Sequence, residues 1–472
     1  MSFKKTGWGK KIGKLSGYVV LPICLLLMLP FFDGDCSPAW AEEKLPEKLT
    51  FGANLRARYE FQNSFNQKFY GDNPAAGKEH DGFLLGRLRA GFDWRPTEKI
   101  HFALWGQNAE AWDSEMPDSA FYNGTFDRIH HPNKDRLELF DAFVDIKDIF
   151  DTGLGIKAGR QRIFYGDNRV FGPGAWGNSG LWIWDAVKLS WVFDRGFVDL
   201  FYGRTMLHQV NQFSLHHRHG YESFGAYAHL DVLKKQPVRL FIEPMIFTKT
   251  DRHDSYKGET GPELDELDSW YWGGRIHAGA KGFEADGTYL RQEGDFGPDS
   301  LDAYGYHVML AYTLPVVWEP RLEVAYSYAS GDSDPTDGKR ETFDGAFGAK
   351  DMMYGRMNMF SWSNLQDLEA SLTVKPYKWL KIKGEAHQFK LADSRDGWSL
   401  NPKLYRDKTG ASGKEVGKEV DLVVTCKYFK DHTLMAGFGY FWPDEFARKV
   451  ASDVEASWVF LQWEYKFKVG LL

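Results

Sequence analysis

From Leu49 to Phe61 every second residue is apolar or small: Leu49, Phe51, Ala53, Leu55, Ala57, Tyr59 and Phe61. Thr50, Gly52, Asn54, Arg56, Arg58 and Glu60 stand between them. Alternation with period two is that of a strand with one greasy and one polar face. It recurs in "YGYHVMLAYTL" (304–314), "RLEVAYSY" (321–328), "VDLVVTCKY" (420–428) and "WVFLQWEYKF" (458–467). Along the chain it predicts eighteen strands, near 49–61, 81–94, 99–110, 137–147, 153–163, 183–193, 197–206, 220–230, 237–249, 269–280, 282–293, 304–314, 319–330, 365–374, 378–391, 420–429, 432–442 and 457–468. In "IKAGRQR" (156–162) the phase breaks, because Arg160 and Arg162 share the parity of Ile156.

The connections carry more than any single strand. Short links such as "RPTE" (95–98), "DIFDT" (148–152), "DRG" (194–196) and "KPYK" (375–378) follow even-numbered strands. Long ones follow odd-numbered strands: 62–80, 111–136, 164–182, 207–219, 250–268, 294–303, 331–364, 392–419 and 443–456. A soluble all-β domain has no reason to sort its loops this way. A transmembrane antiparallel β-barrel does, with short periplasmic turns and long extracellular loops. The last strand fits closure of such a barrel, with Val459, Leu461, Trp463, Tyr465 and Phe467 outward and Gln462, Glu464 and Lys466 inward.

Composition agrees. Mean hydropathy is −0.45, as in a soluble protein, yet aromatics make up 16% of the 472 residues. A barrel reconciles the two, since only alternate residues meet lipid and aromatic girdles ring both interfaces. Lys4, Lys5, Lys10, Lys11 and Lys14 precede the apolar run "YVVLPICLLLMLPFF" (18–32), and "AWA" (39–41) follows. That order describes a secretory signal peptide cleaved after Ala41. The expected organisation is a signal at 1–41, a short lead at 42–48 and the barrel at 49–472, in a Gram-negative outer membrane. Cys24 and Cys36 leave with the signal, so Cys426 remains alone and no internal disulfide forms. Processing also removes five Lys and two acids, leaving 53 basic and 63 acidic residues, a balance that disfavours nucleic acid.

The strand phase assigns a polar lumen. Arg56 and Arg58 on the first strand and Arg87 and Arg89 on the second form a candidate cationic ladder. Lys188, Arg321, Lys381 and Lys383 also point inward. Glu60, Asp93, Asp141, Asp145, Glu323 and Asp367 are the expected acidic partners, with Asp199, Arg239, Glu243, Glu369, Glu385 and His387 on the same face. Guanidinium groups bind carboxylates bidentately, so the ladder suits an anionic solute. The same arginines could instead stiffen the wall by pairing with lumen acids. "HHRH" (216–219) is read as a surface cluster and "SGDSDPTDGK" (330–339) as a solvated turn that lacks a full calcium-loop spacing. No Ser/His pair suggests a barrel enzyme, and neither cofactor nor metal is expected.

Three blocks carry a family likeness: "AGRQRIFYGDNRVFGPGAWGNSGLWIWDAVKLSW" (158–191), residues 328–398 with G-D-x-D-P-x-D-G-K-x-E-T-F-D and L-A-D-S-R-D, and "GFGYFWPDEF…SWVFLQWEYKF" (437–467). In these the chain resembles the alginate export family of outer-membrane barrels. The resemblance implies an eighteen-stranded monomeric barrel whose arginine-lined channel secretes a uronic-acid polysaccharide, possible periplasmic partners included. It places Arg160 in a G-R-Q motif and so in the pore-lining set, followed by Tyr165, Gly166, Asp167 and Arg169 in a loop folding toward the channel. Arg56 and Arg89 match inward arginines by strand position alone. Trp182, Ile183 and Trp184 stand where smaller or more polar residues are expected. The alternative from the residues themselves is a small-solute porin without strong anion preference.

Overall fold

The computed structural model describes residues 48–472, except 125–127, 175, 181, 212, 214–218, 236, 350–351 and 401–402. The expected signal peptide and His216, His217 and Arg218 of "HHRH" lie outside the described residues. Eighteen antiparallel strands form one closed barrel. They are β1 (Leu49–Asn63), β2 (His80–Thr97), β3 (Ile100–Trp112), β4 (Asp135–Ile149), β5 (Leu154–Gln161), β6 (Trp184–Phe193), β7 (Gly196–Met206), β8 (His219–Lys235) and β9 (Val238–Lys257). The second half comprises β10 (Leu264–Ala280), β11 (Phe283–Phe296), β12 (Asp299–Thr313), β13 (Arg321–Ala329), β14 (Leu365–Tyr377), β15 (Leu380–Lys390), β16 (Glu415–Cys426), β17 (His432–Pro443) and β18 (Ala456–Gly470). β1 closes on β18 in unbroken register from Thr50↔Gly470 to Asn63↔Ser457, which leaves no open edge.

The period-two pattern forms these strands because their two faces meet different media. Leu55, Leu88, Leu104, Leu189, Leu200 and Ile276 are exposed on the outer surface. Exposed Trp94, Phe102, Trp191, Phe283 and Phe467 ring the short-turn end, and Tyr59, Trp112, Tyr202, Phe224 and Trp270 lie toward the long-loop end. Among the described residues no helix is long and apolar enough to cross a membrane; the six-residue α1 (Glu445–Val450) sits in the β17–β18 loop.

Two connections differ from expectation. The 250–268 loop shrinks to residues between Lys257 and Leu264, and the 294–303 loop to residues between Phe296 and Asp299. The strands run on past the lipid, where both faces are wet and apolar alternation vanishes although backbone pairing continues. Tyr256 packs on Phe296 (5.1 Å) across this extension.

A two-loop constriction as candidate functional site

Two long loops fold into the barrel instead of outward. The β5–β6 loop (162–183) and the β13–β14 loop (330–364) meet inside it. Gly172 N donates to Phe347 O (3.0 Å), Phe347 N to Val170 O (3.2 Å) and Ala349 N to Asn168 O (3.0 Å). Trp182 Nε1 donates to Gly348 O (3.1 Å). Phe171 and Phe347 are fully buried at this junction and pack on inward-facing Phe247, with Trp184 against Phe347. An aromatic seam of this kind excludes water and fixes both loops.

The walls hold the loops by complementary chemistry. On the β1–β2 side, cations donate to loop carbonyls. Arg56 Nη2 donates to Gly177 O (2.8 Å) and Asn178 Oδ1 (3.0 Å), and Arg58 Nη1 to Trp176 O (2.7 Å). Arg58 also stacks 4.0 Å over the Trp176 ring and pairs with Glu60 at 2.7 Å. Arg87 reaches Gly177 O (3.5 Å) and Asn54 Oδ1 (3.3 Å). Arg89 donates to Gln107 Oε1 (2.6 Å) and lies 3.8 Å over Phe140. On the β14–β16 side, acids take loop N–H groups: Met357 N donates to Glu419 Oε1 (3.0 Å) and Arg356 N to Asp421 Oδ2 (3.3 Å). The Arg356 side chain forks onto Glu385.

Two cavities flank the seam toward the long-loop end. One of about 490 Å³ is lined by Arg169, Trp182, Tyr221, Lys249, Gln292 and Arg340, among others. The second, about 350 Å³, is lined by Arg58, Gln62, Lys68, His130, Arg356 and Trp458, among others. Cationic and aromatic groups share both, a combination that suits the carboxylates and ring faces of acidic sugars.

The structure thus brings Arg56, Arg58 and Arg87 together on the inward loop, with Arg89 held beside them by Gln107 and Phe140. Other residues fall elsewhere. Arg160 does not join them: its strand position keeps the parity of Ile156, and the side chain is sealed by Glu138 (2.9 Å), Asp185 (2.9 Å) and Met206 Sδ (3.0 Å). Arg162, just beyond β5, turns inward onto Asp141 (2.9 Å). β5 ends at Gln161, so strand alternation no longer sets where Arg162 points; within the strand Gly159, with φ of +119° and Ala142 O close by, admits no side chain. Lys188 pairs with Asp199 (2.7 Å), Arg321 with Glu284 and Glu323, and Lys383 with Glu385 (2.5 Å) and Glu369 (3.6 Å). Lys381 is exposed at the short-turn end. Asp93 meets His101 (2.7 Å) and not an arginine, Asp145 stands opposite Lys157, and Asp367 contacts His387 (3.0 Å). Tyr165 donates to Asp199 (2.8 Å), stacks on Tyr227 (3.9 Å) and begins the inward loop as its motif implied. Arg169 lines a cavity on the loop that its motif placed toward the channel. Lys249 and Arg356 were missed. Lys249 shares parity with Glu243 and Phe247, a legible signal; the loop residue Arg356 had none.

The family model for alginate export matches residues 47–460. The chain belongs to the alginate export family. No curated protein matches it. Among solved structures, it is similar to the outer membrane protein OprD of Pseudomonas aeruginosa, with 11% identity and a TM-score of 0.54 over 90% of this chain and 92% of that one. OccAB1 of Acinetobacter baumannii gives 8% and 0.57 over 90% and 97%. OccK2 (OpdF) of Pseudomonas aeruginosa, solved in complex with glucuronate, gives 10% and 0.56 over 90% and 99%. At such identities the likeness is one of fold. Family and fold together make this protein an outer-membrane channel.

Proposed function

We propose that this alginate export family member passes an anionic polysaccharide, such as a uronic-acid polymer, or another anionic solute. The observation that carries the reading is the convergence of Arg56, Arg58 and Arg87 on the carbonyls of Trp176 and Gly177. Those carbonyls are weak acceptors beside a carboxylate, which forms charge-assisted, bidentate bonds with guanidinium. A uronate entering the lumen competes for the same donors, releases residues 176–178 and widens the path as it binds. The glucuronate held by the fold relative OccK2 is a uronic acid, which supports the chemical class. Transport needs no catalytic residue or cofactor in this scheme; a monomer, exported by a signal cleaved after Ala41, suffices, with periplasmic proteins delivering the polymer.

One observation favours the second reading, a small-solute porin. Asp367, Glu369, Glu385, Glu419 and Asp421 face the same lumen and offset the arginines. Block of single channels by oligouronates separates the two. Concentration-dependent block by oligouronates, but not by neutral oligosaccharides of equal length, is expected; equal effects of both favour the porin.

A further inference from the structure

At the long-loop end of β3–β5 lies a polar cluster outside both cavities. Asp135 opens β4, Glu138 follows on it, and His208 lies just beyond β7. All three are sealed, at 0%, 1% and 1% exposure. One ligating atom from each lies within 4.8 Å of the others. His208 Nδ1 is 2.7 Å from Asp135 Oδ2. The other ring nitrogen, His208 Nε2, and Asp135 Oδ1 have no hydrogen-bond partner. Buried polar atoms are ordinarily satisfied, so this arrangement points to an absent partner.

Asp135 and Glu138 bring two carboxylates beside this imidazole, and Arg160 fixes Glu138 at 2.9 Å. The other group of similar composition among the described residues, Glu369, Glu385 and His387, is already filled by Arg356, Lys383 and Asp367. We propose that Asp135, Glu138 and His208 bind a divalent transition-metal cation, with zinc the best match. One imidazole nitrogen and two carboxylates suit zinc, whereas calcium and magnesium favour all-oxygen shells. Bound there, the ion ties the segment after β7 to the start of β4, reinforcing the Arg136 N to Val210 O hydrogen bond (3.2 Å).

The test is calorimetric titration of zinc into chelator-treated protein purified from outer membranes. A His216→Ala/His217→Ala background removes two imidazoles close to His208 in sequence. One site per chain is expected, weakened at least about tenfold by His208→Gln and by Asp135→Asn and unaffected by excess calcium or magnesium. Zinc-edge X-ray absorption of the unsubstituted protein should show a nitrogen/oxygen shell with one imidazole, a readout independent of how the variants fold. Absence of zinc binding, equal binding by a folded His208→Gln variant, or a shell without imidazole overturns the proposal.

Discussion

Arg56 and Arg87 stand directly opposite each other in the β1–β2 ladder, and both donate to the carbonyl of Gly177. Like charges opposed across a sheet are destabilising unless a shared acceptor offsets them. The inward loop supplies that acceptor, so the arginine pair and residues 176–178 are one structural unit.

Arg56→Ala therefore loosens the loop more than the barrel. Loss of charged hydrogen bonds to Gly177 and Asn178 costs about 1.5–3 kcal/mol. Amide exchange in 176–180 should quicken by on the order of tenfold or more, while the strand ladder keeps its protection. Unchanged exchange there would show that the loop is held by the aromatic seam alone.

The seam has its own handle. A Cβ on Gly348 would lie 1.9 Å from Arg169 O, a backbone atom that cannot swing aside. Gly348→Ala should part the two loops near Trp182 and raise single-channel conductance without reducing the yield of folded barrel. Wild-type conductance would place the constriction elsewhere.

The alternation of faces made the eighteen strands legible, because lipid and lumen impose opposite demands on neighbouring residues. Where both faces meet water, as in "RHDSYK" (252–257), that signal ends before the strand does. The inward arginines of β1 and β2 were legible for the same reason. Their partners were not: nothing in the alternation says that a loop returns through the lumen to offer its carbonyls. Arg160 shows the converse. A family motif singled it out, while its parity with Ile156 already argued against a lumen position, and cover from Met206 resolves the conflict.

An extracellular contact should respond to pH. Burial, together with the nearby carboxyl of Asp332, pushes Glu259 up from 4.5 to about 8. A carboxyl held above its ordinary value binds more protons in the folded than in the unfolded state between pH 4.5 and about 8. Its contribution to stability is thus present at low pH and lost as pH rises through that window. Glu259 accepts from Gly338 N (3.3 Å), so exchange of this amide, corrected for its intrinsic rate, should accelerate from pH 5 to 9. Glu259→Gln should abolish the trend; a trend that persists would assign it to another group.

Ion selectivity in planar bilayers under a salt gradient tests the central claim most directly, comparing the wild type with Arg56→Ala/Arg89→Ala. An anion-selective reversal potential that moves toward zero in the variant is predicted. Cation selectivity in the wild type, or an identical potential in both proteins, would contradict an anion channel built on these arginines.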